Sequence, residues 1–149
     1  MMTASKISSL LVMASVSALV ATTFAAVQAP VPSGPASMRS TNQGVFTAEQ
    51  VEAGKVTFKD ICSDCHNPEY FTGEQFMAQW ANKPLFDLYQ MVSVSMPSEE
   101  PGSLTKEQYA GVIALLLQWN GVPAGTAKLE ATDEAMSAIQ FDFPKPTGK

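Results

Sequence analysis

The spacing of apolar residues predicts that the central part of the chain begins with a helix at Thr47. Residues Thr47 to Gln50 form a capping-box pattern, in which the threonine hydroxyl accepts from a first-turn amide and Gln50 reaches back. The apolar or small positions on one face of this helix are Val51, Gly54, Phe58 and Ile61.

A second helix is predicted around Pro84, because proline is favoured in the first turn of a helix. It should end before Pro97, since the residue that precedes a proline avoids helical backbone angles. Its apolar positions recur at helical spacing, and they are Leu85, Leu88, Tyr89 and Val92.

A third helix is predicted from Thr105, where a second capping-box pattern runs to Gln108. Residues 109–117 are almost wholly apolar, so this helix should be covered on more than one side, and Gly121 is typical of a left-handed cap. No segment alternates cleanly between apolar and polar residues. The predicted fold class is therefore all-α, with three to four helices and long loops.

The first 29 residues have the pattern of a secretory signal. Lys6 is the only charged residue before Arg39, and a long stretch of apolar and small residues follows it as far as Ala29. We predict a cleaved signal peptide over 1–29 and a periplasmic mature protein. The alternative is a retained membrane anchor, because the apolar stretch is long enough for one.

The rest of the chain divides into three predicted parts. Residues 30–45 are rich in Pro, Gly and Ser, which predicts a flexible tether. Residues 46–125 hold the three helices and form the predicted domain. Residues 126–149 have irregularly spaced apolar residues, which favours an extended arm packed on the domain over a disordered tail.

The net charge of the chain limits the kinds of partner that are expected. Of nine basic residues, Lys6 leaves with the signal, so eight basic and fourteen acidic residues give the mature protein a net charge of about −6. No basic run exists, and nucleic acid is therefore an unexpected partner.

The strongest chemical signal is the motif Cys62-Ser63-Asp64-Cys65-His66, which matches the attachment signature of a c-type haem. Two cysteines three residues apart can form thioethers to one edge of a porphyrin, and the adjacent imidazole can ligate the iron. The motif uses both cysteines and the single histidine of the chain. We expect one haem c per chain, with thioethers from Cys62 and Cys65 and an axial bond from His66.

Three other interpretations of the motif remain open at this point. A local disulfide or thioredoxin-type pair would require a strand before Cys62, and none is predicted. Structural zinc requires four ligands, and two Cys with one His leave the set incomplete unless carboxylates join. A chance match is the third.

The second axial ligand is predicted to be Met96. It lies just beyond the second helix, 30 residues after His66, and Pro97 stiffens the backbone beside it. Met/His ligation is a common arrangement and raises the reduction potential. Met91 is the next candidate, although its position inside the second helix indicates a core residue.

From about Thr47 to about Gly125 the chain resembles the class I mono-haem cytochromes c. The features that match in order are Gly54 with Phe58, the Cys62–His66 motif, Met96-Pro97, and Leu104-Thr105 before a C-terminal helix. The resemblance implies a cytochrome c fold wrapped around one covalent haem, with the first and last helices crossing at Gly54 and Phe58.

Trp80, Pro84 and the segment from Asn120 to Gly125 are similar to cytochrome modules associated with periplasmic quinoprotein dehydrogenases. By that resemblance Trp80 contacts the haem propionates; otherwise it is a core tryptophan. The implied function is one-electron transfer between redox proteins, for example a dehydrogenase and a terminal oxidase, and not an enzymatic reaction. The alternative is a haem enzyme or gas sensor with an open sixth site.

Overall fold

The computed structural model of the protein describes residues 38–144. The predicted signal peptide, most of the predicted tether and the last five residues lie outside this range. Within it the chain is mostly helical, which confirms the coarse prediction of an all-α class. The elements are β1 Arg39–Ser40, α1 Ala48–Thr57, α2 Gly73–Trp80, α3 Leu85–Ser95, α4 Lys106–Trp119, α5 Asp133–Ser137 and β2 Ile139–Gln140, with short 3₁₀ helices at Thr41–Gln43 and Pro68–Phe71.

Both predicted capping boxes are present. The Gln50 amide donates to the Thr47 hydroxyl at 3.3 Å, and the Gln50 side chain accepts from the Thr47 amide at 3.2 Å. The same reciprocal pair joins Thr105 and Gln108. These bonds satisfy amides that the helix itself leaves without partners, so α1 and α4 begin where the sequence pattern predicts.

Helices α1 and α4 cross in close contact at Gly54 and Gly111. A Cβ atom added to Gly54 would collide with the backbone carbonyl of Gly111 and lie 3.1 Å from Cβ of Leu115. The two backbones therefore approach more closely than any side chain on Gly54 would allow. Residues 109–117 of α4 are all buried, as the apolar run predicted.

Helix α3 ends at Ser95, two residues before Pro97, in agreement with the prediction. Leu85, Leu88 and Tyr89 are buried on its core side. The interpretation of Met91 as a core residue was wrong, because 47% of this residue is exposed. Its position on α3 turns it away from the buried face.

The tether predicted for residues 30–45 does not extend to residue 45. β1 pairs with β2 in parallel, with Arg39 opposite Ile139. The buried Thr41 hydroxyl donates to the carbonyl of Asp142 at 2.6 Å and accepts from its amide at 2.9 Å. Val45 and Phe46 are also buried. The described part of the predicted tether is thus held by residues about a hundred positions away.

Residues 126–144 lie along the helical core. Leu129, Met136, Ile139 and Phe141 are buried in it. The side chain of Gln50 on α1 holds this segment by donating to the Leu129 carbonyl and accepting from the Leu129 amide, both at 2.8 Å. The arm therefore adds apolar side chains to the core.

Replacing Phe141 with alanine should lower the free energy of unfolding by about 3–5 kcal/mol, as is usual for a buried phenylalanine. Phe141 is 1% exposed and its ring lies 5.9 Å from that of Trp80. The measurement is urea unfolding of the matured protein. Tyr70→Ala is the matched control, because Tyr70 is 73% exposed. Equal losses in the two variants would mean that the arm does not stabilise the core.

Within residues 38–144, no helix is long and apolar enough to cross a membrane.

Candidate functional site

A cavity of about 400 Å³ lies between the Cys62–His66 motif, the end of α3 with the loop that follows it, and α4. This volume falls within the roughly 300–1,000 Å³ of small-molecule and cofactor sites. Most of the lining is apolar, and the apolar side chains are Phe58, Ile61, Phe71, Met91, Val92, Met96, Pro97, Leu104, Val112 and Leu116. The cavity is therefore suited to a large, mainly apolar group.

The motif residues form one wall of this cavity. Helix α1 continues as a π-helical turn over Phe58–Cys62, and the amides of Cys65 and His66 then donate to the Cys62 carbonyl at 3.2 and 2.9 Å. This tight turn places Cys62, Cys65 and His66 where all three residues line the same cavity. Hydrogen bonds between residues that are close in sequence therefore bring together the three candidate cofactor ligands, Cys62, Cys65 and His66.

The two cysteines are not joined to each other, and both are free thiols. Cys62 is partly buried, and this burial raises the pKa of its thiol. Redox-active cysteines of the thioredoxin type have a lowered pKa instead. The environment of Cys62 therefore gives no support to the interpretation as a reactive redox pair.

The zinc interpretation lacks a ligand set in the described part of the chain. In residues 38–144 no three side chains of the types His, Cys, Asp or Glu are grouped so that they could hold a metal ion. Asp60 and Asp64 line the same cavity as the cysteines, but they do not complete such a group.

Met96 lies on the wall formed by the loop after α3. Its amide donates to the Val92 carbonyl at 2.9 Å, which ties it to the last turn of the helix. Its own carbonyl accepts from the Tyr109 hydroxyl on α4 at 3.0 Å. Tyr109 was not predicted to take part in the site; the signal for it was a hydroxyl within an otherwise apolar run.

Aromatic rings pack behind His66. The imidazole meets the ring of Phe71 edge-on at 5.4 Å, and Phe71 in turn meets Phe58 at 5.9 Å. The buried Asn120 donates to the carbonyls of Phe71 at 2.7 Å and Leu116 at 2.8 Å. Asn120 thereby fastens the segment after the motif to the end of α4, a role that sequence reasoning missed because the Phe71 carbonyl is 49 residues away.

Trp80 does not line this cavity, so the structure gives no support to its predicted contact with haem propionates. It is buried at the end of α2, where its ring lies 6.3 Å from Phe76 and 5.9 Å from Phe141. The ammonium group of Lys83 lies 5.3 Å from the ring centre. These contacts are those of a core tryptophan, which was the alternative interpretation.

The polar part of the lining includes three acidic side chains. Asp60, Asp64 and Glu99 line the cavity, and all three are exposed. No lysine or arginine is among the lining residues. The opening of the cavity therefore has a negative character, whereas its interior is apolar.

In comparisons with known proteins, no family model, no curated protein and no solved structure matches this chain.

Proposed function

We propose that this protein is a periplasmic electron carrier of the class I cytochrome c type, with one covalently attached c-type haem. The observation that supports this most strongly is a single apolar cavity that brings together Cys62, Cys65, His66 and Met96. Two thiols and an imidazole on one wall, with a thioether on the wall formed by the loop after α3, are the donors that a covalent, His/Met-ligated haem requires.

In this proposal Cys62 and Cys65 would form the thioethers to the haem, and His66 and Met96 would bind its iron. The bound haem supplies one-electron exchange at its iron, between the ferric and ferrous states. The chain supplies the positions of the ligands, since the turn after Cys62 orients His66 and the hydroxyl of Tyr109 holds the backbone of Met96. Trp80 has no assigned role at the haem.

The apolar lining of the cavity bears on the reduction potential of the proposed haem. Phe58, Phe71, Val112 and Leu116 contribute apolar side chains to the lining of the cavity. Burial in apolar surroundings and Met/His ligation both tune the reduction potential of a haem. The partners of such a carrier are redox proteins, such as a dehydrogenase and a terminal oxidase.

A haem enzyme or gas sensor needs an open coordination position on the iron. The position of Met96 in the lining favours a carrier over this alternative, because a thioether is available inside the cavity. The helical domain, the crossing of α1 with α4 and the signal-like pattern of residues 1–29 agree with an exported cytochrome.

Replacing both cysteines with serine should abolish covalent haem attachment. Denaturing electrophoresis with haem staining, together with mass spectrometry of the matured protein, measures this, because thioether-bound haem survives denaturation. The mass also reports whether residues 1–29 have been removed. Ser63→Ala is the control, since Ser63 lies within the motif turn but has no ligand role, and it should retain the haem.

A matured wild-type protein whose mass includes no haem would contradict the proposed function outright. Staining that persists in the doubly substituted protein would show that the cysteines are not the attachment points.

A further inference from the structure

Two buried polar side chains, one near each end of α4, donate hydrogen bonds to the backbone of other segments. The Tyr109 hydroxyl donates to the Met96 carbonyl at 3.0 Å, and the Ser93 carbonyl lies at 3.4 Å as a second acceptor. The Asn120 amide donates to the Phe71 carbonyl at 2.7 Å. Both side chains are buried. We call Tyr109 and Asn120 the α4 donors.

The first of the α4 donors holds the loop that bears Met96. This loop comprises residues 96–104, and its other hydrogen bonds stay within the loop or return to α3. Among the residues that the structure describes, the bond from Tyr109 is the only hydrogen bond that joins this loop to α4. The hydrogen-bonded position of the Met96 backbone on α4 therefore depends on one donor.

The second of the α4 donors holds the segment after the motif in the same way. In the described part of the chain, the hydrogen bonds of residues 67–72 are internal except for the one that Phe71 accepts from Asn120. The Phe71 ring meets the His66 imidazole edge-on at 5.4 Å. A shift of the Phe71 backbone would therefore move the ring that packs on the imidazole.

The Asn120 side chain uses only its donor atoms. Its Nδ2 atom bonds to the carbonyls of Phe71 and Leu116, whereas its buried Oδ1 atom has no partner among the described residues. A buried acceptor without a partner costs free energy. The two donated bonds, and not the satisfaction of the whole amide, therefore account for an asparagine at this position.

The α4 donors lie on the same side of the helix. Tyr109 and Asn120 are 11 positions apart, which is close to three full turns of 3.6 residues. Their separation along the axis is about 16 Å, at about 1.5 Å per residue. One helix thus supports both the loop that bears Met96 and the segment that follows His66.

Resting on the proposed haem function, we infer that Tyr109 and Asn120 are positioning residues that set the separation of the two ligand-bearing segments. Tyr109 acts through the backbone of Met96, and Asn120 acts through Phe71 beside His66. Hydrogen bonds behind the ligands orient them and tune the metal. Ligands that are supported by one rigid element keep their geometry relative to each other. The two donors act separately, each on the ligand of its own segment.

The first test compares two buried tyrosines in the ferric, haem-loaded full chain. Tyr109→Phe removes the bond to the Met96 carbonyl. The matched control, Tyr89→Phe, removes a hydroxyl that donates to the Ala131 carbonyl at 3.3 Å outside the cavity lining. Imidazole that displaces Met96 should bind Tyr109→Phe roughly 2- to 10-fold more tightly than the wild type, the factor that corresponds to one hydrogen bond. It should bind the control and the wild type equally in absorption titrations.

The second test uses Asn120→Ser. A serine hydroxyl can donate to the carbonyl four residues back but is too short to reach Phe71. In NMR spectra of the ferrous holoprotein, the signals of the His66 ring should shift in this variant. The weak near-infrared absorption of a bond between Met96 sulfur and ferric iron should remain. Tyr109→Phe should leave the His66 signals in place.

Amide hydrogen exchange of the holoprotein reports on both segments at once. The amides of Tyr70 and Glu100 each donate to a carbonyl within their own segment. Exchange at Tyr70 should become roughly 2- to 10-fold faster in Asn120→Ser alone, because local opening becomes easier where the bond is lost. Exchange at Glu100 should become faster by a similar factor in Tyr109→Phe alone.

Three outcomes would decide against the inference. Unchanged imidazole affinity in Tyr109→Phe, or exchange that rises equally in both segments of each variant, would overturn the positioning roles and leave the haem carrier intact. Asn120→Leu, which keeps the volume and removes both donated bonds, takes the place of the serine variant if that variant does not mature. Matured wild-type protein without haem would overturn the proposed function and this inference together.

Discussion

Replacing Gly54 with alanine is expected to lower the free energy of unfolding of the matured protein by at least about 3 kcal/mol, at or above the upper end of the usual cost of overpacking. The added methyl group would collide with the backbone carbonyl of Gly111, and no side-chain rotation can relieve that collision. Helices α1 and α4 would have to separate along their whole contact. Urea unfolding and the yield of matured protein are the measurements.

Gly111→Ala tests the same helix crossing with a less severe steric clash. A Cβ atom there would lie 3.1 Å from the Gly54 amide nitrogen and 3.2 Å from the Gln50 carbonyl, so shifts of a few tenths of an ångström would accommodate it. Alanine also favours a helix over glycine by about 1 kcal/mol. The loss should therefore be clearly smaller than for Gly54→Ala. A Gly54→Ala protein as stable as the wild type would contradict the observed crossing.

If the protein is the proposed haem carrier, Met96→Ala is expected to remove one of the two protein ligands of the iron. The ferric protein should lose the weak near-infrared band that marks a sulfur–iron bond. The reduction potential should fall by a substantial part of the roughly 0.8 V over which axial ligands tune haem proteins. Absorption spectroscopy and potentiometric titration measure these two effects on the purified holoprotein.

Met91→Ala is the matched control, because it removes a second thioether that lines the same cavity. This variant should keep the near-infrared band. If instead the band survived in Met96→Ala and vanished in Met91→Ala, Met91 would be the ligand and the assignment of Met96 would be wrong.

Elements whose causes are local in sequence were predictable. Thr47 and Thr105 each bond to a glutamine three residues further on, and both helices begin there. Helix α2 was not predicted, because Thr72 at its start makes no side-chain cap and its buried residues, Phe76 and Trp80, depend on distant partners. The pairing of β1 with β2 was missed for the same reason, since a two-residue strand has no periodicity of its own.

The candidate ligands of the site were easier to predict from the sequence than the residues that hold the surrounding backbone in place. Cys62, Cys65 and His66 are positioned by hydrogen bonds within one turn, so their spacing alone predicts that they act together. Tyr109 and Asn120 act through carbonyls 13 and 49 residues away, respectively, and no spacing rule identifies such partners. The same limit explains Met91, whose helical spacing indicated burial although 47% of its surface is exposed where it lines the cavity.

The bonds between Thr41 and Asp142 have a consequence for the order in which the protein is assembled. A ribosome or a translocation channel releases Thr41 long before Asp142, so the early segment must wait without its partner while the intervening hundred residues emerge. Closure of the molecule is therefore a late event, and contacts of such long range slow it further. The cysteine-bearing turn is held by hydrogen bonds between residues at most four positions apart, so its local bonding does not depend on that closure.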